Sequence, residues 1–128
     1  MAIVGQSRYS FDETVALLCS TITAAGNTVF ATIDQAAAAS TVGLTLRPTT
    51  LIVFGNPKAG TGLMQRFPSI TLDLPLKIAV WDDAGTVSVA YEPMSEIATR
   101  HAVPANDPVV HAIDANLAAL AASVCSRP

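Results

Sequence analysis

The sequence predicts a single α+β domain over residues 1–128, with a mixed or antiparallel sheet and helices packed mainly on one of its faces. Three observations support this fold class. Capping signals start helices near both ends of the chain, an apolar segment in the middle has the composition of a buried strand, and residues 74–91 have the pattern of an antiparallel hairpin. A length of 128 residues suits one hydrophobic core.

The first segments are a strand and a helix. Residues 3–9 alternate weakly and predict a short strand. Ser10 and Glu13 have the spacing of a capping box, in which the serine hydroxyl accepts the Glu13 N–H. Apolar residues then recur at helical intervals until Gly26, a residue type that readily adopts the left-handed backbone found at helix ends. A helix is therefore expected between Ser10 and Gly26.

A second strand, a short helix and a third strand are expected next. Residues 28–33 are β-branched and predict a strand, after which Asp34 can cap a short helix through the alanines at 36–39. Residues 49–54 show no polar alternation beyond their first positions. Such a strand is typical of the centre of a sheet that is covered on both faces.

A glycine-rich turn at residues 55–62 follows this strand and is the best candidate for a binding site. Asn56 resembles an N-cap and Pro57 a first helical residue, so a short helix is expected to end before Pro68. The turn lacks the lysine and serine or threonine pair of a Walker A loop. It can still hold a small anion through exposed amides, a helix start and Lys58. In the alternative, Asn56 only caps the helix and the glycines permit close packing.

Two charged residues outside the turn complete the candidate site. Asp73 is expected to accept hydrogen bonds from the turn, to pair with Lys58 or Arg47, or to be an ordinary exposed aspartate. Pro48 holds the Arg47 backbone extended, and the Arg47 side chain can clamp an oxyanion or form a surface ion pair. The predicted ligand-binding residues are Arg47, Gly55, Asn56, Lys58, Gly60, Thr61 and Asp73.

The second half of the chain predicts a hairpin and two helices. Strands at residues 74–81 and 86–91 flank a turn in which Gly85 suits a positive φ. Pro93 opens a short helix through about Arg100. Asp107 then caps a last helix, whose apolar residues form one stripe. That stripe consists of Val109, Ile113, Leu117, Leu120 and Val124.

The two histidines are interpreted as structural. His101 follows a helix end, where a cationic imidazole suits the helix dipole. His111 is spaced for pairing with Asp107 or Asp114 on the last helix. Because no cysteine or carboxylate cluster has metal-ligand spacing, no metal site and no cofactor are expected. No Gly-x-Ser-x-Gly motif is present either, so no catalytic residues are predicted and an enzyme is not expected.

Composition narrows the possible partners. Only 13% of residues are charged, the formal net charge is −3, and the pI is about 5.1, which disfavours nucleic acid and anionic membranes as partners. So few charges leave apolar surface that favours a homodimer. No signal peptide or membrane span is expected, and Cys19 and Cys125 are interpreted as reduced core thiols. The cytoplasm is the expected location.

Several short runs in the chain resemble the domain of unknown function 302 family. They lie at residues 47–51, 54–61, 63–64 and 73–77, with Trp81, Tyr91 and the pair Arg100-His101. The resemblance implies a compact α+β fold that is commonly dimeric, is sometimes encoded beside sulfur-transfer modules, and has no established activity. This chain has Gln35 where the family often has histidine and Gly62 where it often has proline. A function that depends on that histidine is not expected here.

Three functional hypotheses follow from the residues and from what the resemblance implies. In the first, a small homodimeric accessory domain binds a small, anionic ligand at residues 55–62. In the second, the protein is a structural or interaction module without a ligand. In the third, it is an accessory carrier in sulfur metabolism that uses a cysteine, which requires a reactive thiol at Cys19 or Cys125.

Overall fold

The sheet of this protein has five strands in the computed structural model, which describes residues 1–125. Helices occur at the positions that the capping signals predict. In chain order the elements are β1 Ile3–Gln6, α1 Phe11–Ala24, β2 Thr28–Asp34, α2 Gln35–Ser40, β3 Thr49–Gly55, α3 Pro57–Arg66, a 3-10 helix Pro68–Leu72, β4 Leu76–Asp83, β5 Thr86–Tyr91, α4 Met94–Arg100 and α5 Pro108–Val124.

Every neighbouring pair of strands in the sheet is antiparallel. The order is β1-β5-β4-β3-β2, so β4 is central and β1 and β2 are the edges of the described sheet. The mixed alternative considered for the sheet is therefore wrong, and the antiparallel alternative is confirmed. Helices α1 and α5 contact each other, and both contact the sheet. The chain thus has the α+β architecture that the sequence predicts.

The expectation that β3 is covered on both faces is wrong. Thr50, Ile52 and Phe54 are buried, whereas Leu51 and Val53, which point to the opposite face, are only half buried. Strands β2 and β4 pair with β3 on its two sides. An uninterrupted apolar strand therefore marks an interior position in the sheet here, not a second covering layer.

The core lies between the inner face of the sheet and the helices. Leu18 and Ile22 of α1 and Leu117 and Leu120 of α5 belong to one cluster of buried apolar residues. Phe54 is the largest fully buried side chain in that cluster. Because the predicted helical stripes face this cluster, the periodicity of the sequence determines which side of each helix is buried.

Local hydrogen bonds confirm the predicted helix starts. The distances between the capping oxygens and the amide nitrogens are 3.2 Å for Ser10 Oγ to Glu13, 2.9 Å for Asp34 Oδ1 to Ala37, 3.0 Å for Asn56 Oδ1 to Lys58 and 2.9 Å for Asp107 Oδ1 to Val109. Each cap satisfies an amide that has no partner within its own helix. These four interactions are local, which is why the sequence alone indicates them.

Strand boundaries differ more from the expectation. Strand β4 begins at Leu76, two residues later than predicted, and Pro75 before it has no N–H to donate to a neighbouring strand. Strand β1 ends at Gln6, and Ser7 then forms an isolated bridge with Cys125. The hairpin turn is confirmed, with Gly85 at a φ of +97°. Within the described residues, no helix combines the length and apolar character that crossing a bilayer requires.

Candidate functional site

A cavity of about 600 Å³ lies between the start of α3 and the first turns of α5. We call it the α3–α5 cavity. Its apolar wall includes Phe30 of β2, Met64 of α3, and Val109 and Ile113 of α5, and the segment before β4 closes it with Leu74. Ligand pockets in proteins typically measure about 300–1,000 Å³, so the cavity has the size of a small-molecule site.

The polar groups of the cavity are few and uncharged. Among the lining residues, those with polar side chains are Asn27, Asn56, Asn116 and Thr71. No charged side chain belongs to the lining formed by the described residues. Because apolar walls with a few neutral donors and acceptors recognise molecules of the same character, this chemistry suits a neutral, largely apolar ligand.

The glycine-rich turn is not the cradle of free amides that the anion hypothesis requires. The Lys58 N–H donates to Asn56 Oδ1 at 3.0 Å, and the Gly60 N–H donates to the Asn56 carbonyl oxygen at 2.9 Å. Residues 57–62 therefore form the first turns of α3, and the capping interpretation describes these two amides correctly. Gly55, Asn56 and Gly60 line the cavity, but Lys58 and Thr61 do not.

Arg47 and Asp73 belong to different parts of the molecule. The Arg47 Nε lies 3.8 Å from Asp83 Oδ1, and both side chains are exposed. Asp73 pairs instead with Arg100 and His101. The expected pairing of Asp73 with Lys58 or Arg47, or with the turn, is therefore wrong. The structure brings together three of the seven predicted site residues at the cavity and separates the other four from it.

A hydrogen-bonded cluster that sequence reasoning did not predict surrounds Asp73. His101 Nε2 lies 2.5 Å from Asp73 Oδ2, and His101 Nδ1 lies 2.8 Å from Ser69 Oγ. Arg100 pairs with both Asp73, at 3.1 Å, and Glu92. Hydrogen bonds from His101 and then from Arg100 lower the pKa of Asp73 below its ordinary value of 3.8. A charged Asp73 therefore joins the 3-10 helix to the end of α4.

Comparison with known proteins assigns the chain to a family. The family model described as "Domain of unknown function DUF302" matches residues 3–124. This protein belongs to the DUF302 family. A solved structure supports the fold: the crystal structure of an uncharacterized conserved DUF302 protein from Bacillus stearothermophilus superimposes with a TM-score of 0.76. The match covers 95% of this chain and 93% of that one at 18% identity, so the likeness concerns the fold alone.

Curated relatives of this DUF302 protein carry a different kind of name. "Fluoride-specific ion channel FluC 1" of Brucella suis biovar 1 is 39% identical over 99 residues. The match covers 77% of this chain but 39% of that protein, and the protein of the same name from Brucella abortus biovar 1 is covered over 37% of its length. The DUF302 chain thus spans about two fifths of the curated relatives it matches.

The second histidine of the DUF302 domain does not pair with a carboxylate as predicted. His111 Nε2 lies 2.9 Å from the Ala105 carbonyl oxygen. Asp114 instead accepts the amides of Met94 and Ser95 at the start of α4, at 2.6 and 3.1 Å. Among the described residues, no three histidines, cysteines or carboxylates are grouped as metal ligands. His111 therefore holds the loop before α5 against that helix.

Both cysteines of the DUF302 domain are free thiols in half-buried positions. Burial raises the pKa of Cys19 and that of Cys125 above the ordinary value of 9.0, although Arg8 opposes the shift at Cys125. Because the thiolate is the reactive form of cysteine, both residues are poor nucleophiles at neutral pH. The carrier hypothesis gains no support from them.

Proposed function

We propose that this domain binds a small, uncharged and largely apolar molecule in the α3–α5 cavity. The observation that carries the proposal is a cavity of about 600 Å³ in which apolar side chains predominate and the polar groups are neutral. The anionic ligand expected from the glycine-rich turn is replaced by a neutral one, because Lys58 lies outside the lining and its amide already donates to Asn56 Oδ1.

Two side chains of the lining suit this role. Phe30 is 51% exposed, an unusual fraction for a phenylalanine beside a large cavity, and a bound apolar molecule would cover part of its ring. Met64 is flexible and polarisable, so it can adapt to ligands of different outline. The carboxamides of Asn27 and Asn116 can then orient a ligand through one or two hydrogen bonds.

Thermal unfolding with two probes tests the proposal. Indole, a neutral aromatic molecule, is expected to raise the melting temperature in a concentration-dependent manner, because a ligand of the native state stabilises that state. Phosphate at the same concentrations is expected to have no specific effect. A rise with phosphate and none with indole would instead support an anion site and overturn the proposal.

A pair of matched variants shows whether indole acts by binding in the α3–α5 cavity. Ala112 and Ala118 are both exposed on α5, but only Ala112 lines the cavity. Ala112→Trp is expected to fill the mouth of the cavity and abolish the indole response, whereas Ala118→Trp should retain it. An unchanged response in Ala112→Trp would show that indole binds elsewhere.

We also propose that the protein forms a homodimer. Ile33 on the edge strand β2 and Val42, Leu44 and Leu46 in the segment before β3 are all exposed, by 39–72%. An apolar surface of this kind, on a chain with 13% charged residues, favours association with a second copy. Light scattering should give a dimer mass for the wild type and for Leu72→Lys, and a monomer for Val42→Lys/Leu44→Lys. A monomeric wild type at micromolar concentration would contradict this.

The Brucella relatives favour a second candidate role, that of a domain that works beside a fluoride channel. The support is the 39% identity over 99 residues with proteins of that name. The two free cysteines are compatible with the reducing cytoplasm, where we place such an accessory domain. Co-purification of this chain with a coexpressed fluoride channel subunit, and not with an unrelated membrane protein, is the expected result. Absence of retention would remove this role.

A further inference from the structure

Ser69, His101 and Asp73 form a linear chain of hydrogen bonds. The distances are 2.8 Å from Ser69 Oγ to His101 Nδ1 and 2.5 Å from His101 Nε2 to Asp73 Oδ2. Ser69 lies in the 3-10 helix, Asp73 directly follows that helix, and His101 caps the end of α4. A hydroxyl, an imidazole and a carboxylate in this order are the groups that activate a serine nucleophile.

The charge of Asp73 determines the roles of the two histidine nitrogens. Arg100 Nη2 lies 3.1 Å from Asp73 Oδ1, and this contact and the His101 hydrogen bond keep the carboxyl ionised. An ionised carboxylate can only accept hydrogen bonds, so Nε2 of His101 carries a hydrogen and donates a hydrogen bond to Asp73. In the neutral imidazole Nδ1 is then an acceptor, and the Ser69 hydroxyl donates to it. This is the tautomer that a general base requires.

The burial of the three residues fits these roles. Ser69 is exposed, so a reactant can reach its oxygen, whereas the His101 side chain is only 9% exposed and is held on both sides. Asp73 is 29% exposed and is anchored by Arg100, which is itself paired with Glu92. The nucleophile is thus open to solvent while the base and its orienting carboxylate are fixed.

We propose that Ser69 is a nucleophile for acyl transfer from small activated esters, with His101 as its general base and Asp73 as a positioning residue. The Ser69 oxygen forms a bond to the ester carbonyl carbon, its proton passes to His101 Nδ1, and the ester C–O bond breaks as the alcohol leaves with that proton. Water then attacks the acyl-serine, gives its proton to His101, and releases the acid as Ser69 regains its hydrogen. The inference does not depend on the α3–α5 cavity.

Reaction with p-nitrophenyl acetate tests the proposal. The wild type is expected to release nitrophenolate and to gain an acetyl group that peptide mapping places on Ser69. Mapping also separates this product from acetylated Cys19 or Cys125. Ser69→Ala should lose the mapped acetyl group, and His101→Gln should slow acetylation at least about 100-fold, since general-base catalysis contributes roughly 10²–10⁴-fold. Ser20→Ala is the matched control, because Ser20 is also exposed but donates only to the Leu17 carbonyl.

Rescue by a conservative variant distinguishes a positioning role for Asp73 from a merely structural one. Asp73→Asn should slow the acetylation of Ser69 at neutral pH, because the carboxylate that accepts the hydrogen bond of His101 Nε2 is lost. Asp73→Glu should restore part of that rate, because it supplies a carboxylate again. Circular dichroism and thermal unfolding verify that each variant is folded. An unmodified Ser69, or equal acetylation rates of Ser69 in the wild type and in His101→Gln, would overturn the proposal.

Discussion

At the residue scale, Asp107 shows how one carboxylate connects two elements. Its side chain is 6% exposed. It accepts one hydrogen bond from the Val109 amide at the start of α5. It accepts a second, with a distance of 2.8 Å, from Nη1 of Arg66, which lies at the end of α3. The Arg66 hydrogen bond, and secondarily the backbone amides of Val109 and Val110, lower the pKa of Asp107 below 3.8. The same carboxylate thus caps one helix and fixes the end of another beside the α3–α5 cavity.

This arrangement predicts a specific pH dependence of stability. Because the pKa of Asp107 is lower in the folded state, its contribution is complete above the ordinary value of 3.8 and is lost as the pH falls through the folded-state pKa. Asp73 has a shift of the same sign. Urea unfolding at neutral pH and at about pH 3 should therefore show a smaller loss of stability in Asp107→Asn than in the wild type. Equal losses in the two proteins would contradict this account.

A second residue-scale prediction concerns Gly5 on the edge strand β1. A Cβ atom at this position would lie 2.9 Å from Cys125 Sγ, closer than two such atoms can approach without movement. Gly5→Ala is therefore expected to lower the free energy of unfolding by about 1–3 kcal/mol, as overpacking does. The measurement is urea unfolding of each variant.

The control for this prediction is Cys125→Ala, which removes the sulfur atom. In that background the nearest remaining atom is Cys125 Cβ at 3.5 Å, an ordinary contact, so Gly5→Ala should no longer destabilise. It should even be slightly favourable, because alanine loses less backbone entropy than glycine in a strand. Effects of the two substitutions that simply add would argue against the clash.

At the element scale, the β4–β5 hairpin depends on a strained two-residue turn. Ala84 and Gly85 have φ values of +52° and +97°, the signs that type I′ turns require, and the Gly85 amide donates to Asp82 Oδ1 at 2.8 Å. Glycine adopts a positive φ without cost, but alanine does not. The sequence therefore predicts the position of the turn correctly, and a substitution of Ala84 can make the turn more stable.

Ala84→Asn is expected to stabilise the protein by about 0.5–1 kcal/mol, since asparagine followed by glycine is the preferred pair for this turn. Ala105, which is also exposed and lies in a loop, provides the control position for the same substitution. A higher urea midpoint for Ala84→Asn than for Ala105→Asn is the expected result. A midpoint below that of the wild type would show that the positive φ of Ala84 does not limit the stability of the protein.

Features that depend on neighbouring residues could be predicted from the sequence, and features that depend on distant ones could not. The Ser10 and Asp107 caps and the Gly85 turn are local, so residue type and spacing are sufficient to predict them. The contact of His101 with Asp73 joins residues 28 positions apart. The sequence marked Asp73 as a candidate binding residue and His101 as a helix-end residue, but nothing in it indicated that the two are in contact or that Ser69 joins them.

The candidate site shows the same limit. Gly55, Asn56 and Gly60 of the predicted site line the cavity, which lies where β3 runs into the capped start of α3. Its chemistry was not predictable, since the opposite wall comes from α5, more than 40 residues further along the chain. The apolar residues Val109 and Ile113 replace the charged environment that Lys58 suggested.

At the scale of the whole molecule, the helices cover one face of the antiparallel sheet and leave the α3–α5 cavity at their edge. The buried apolar residues form one cluster on the inner face of the sheet. Other apolar residues remain exposed, including Phe30 at the cavity and Val42 and Leu44 before β3. Ligand binding and dimer formation would therefore bury different surfaces. The two proposals can be tested independently, because the variants at Ala112 and at Val42 and Leu44 change separate parts of the molecule.

The most direct measurement for the central claim is a titration with indole followed by NMR of the methyl groups. Saturable shifts of the Met64 and Ile113 methyl resonances are expected, since both side chains line the cavity, while the exposed Ile33 methyls outside it remain unchanged. Phosphate should leave all three residues unaffected. Unchanged Met64 and Ile113 resonances at indole concentrations near its solubility limit would contradict the assignment of this cavity as a binding site.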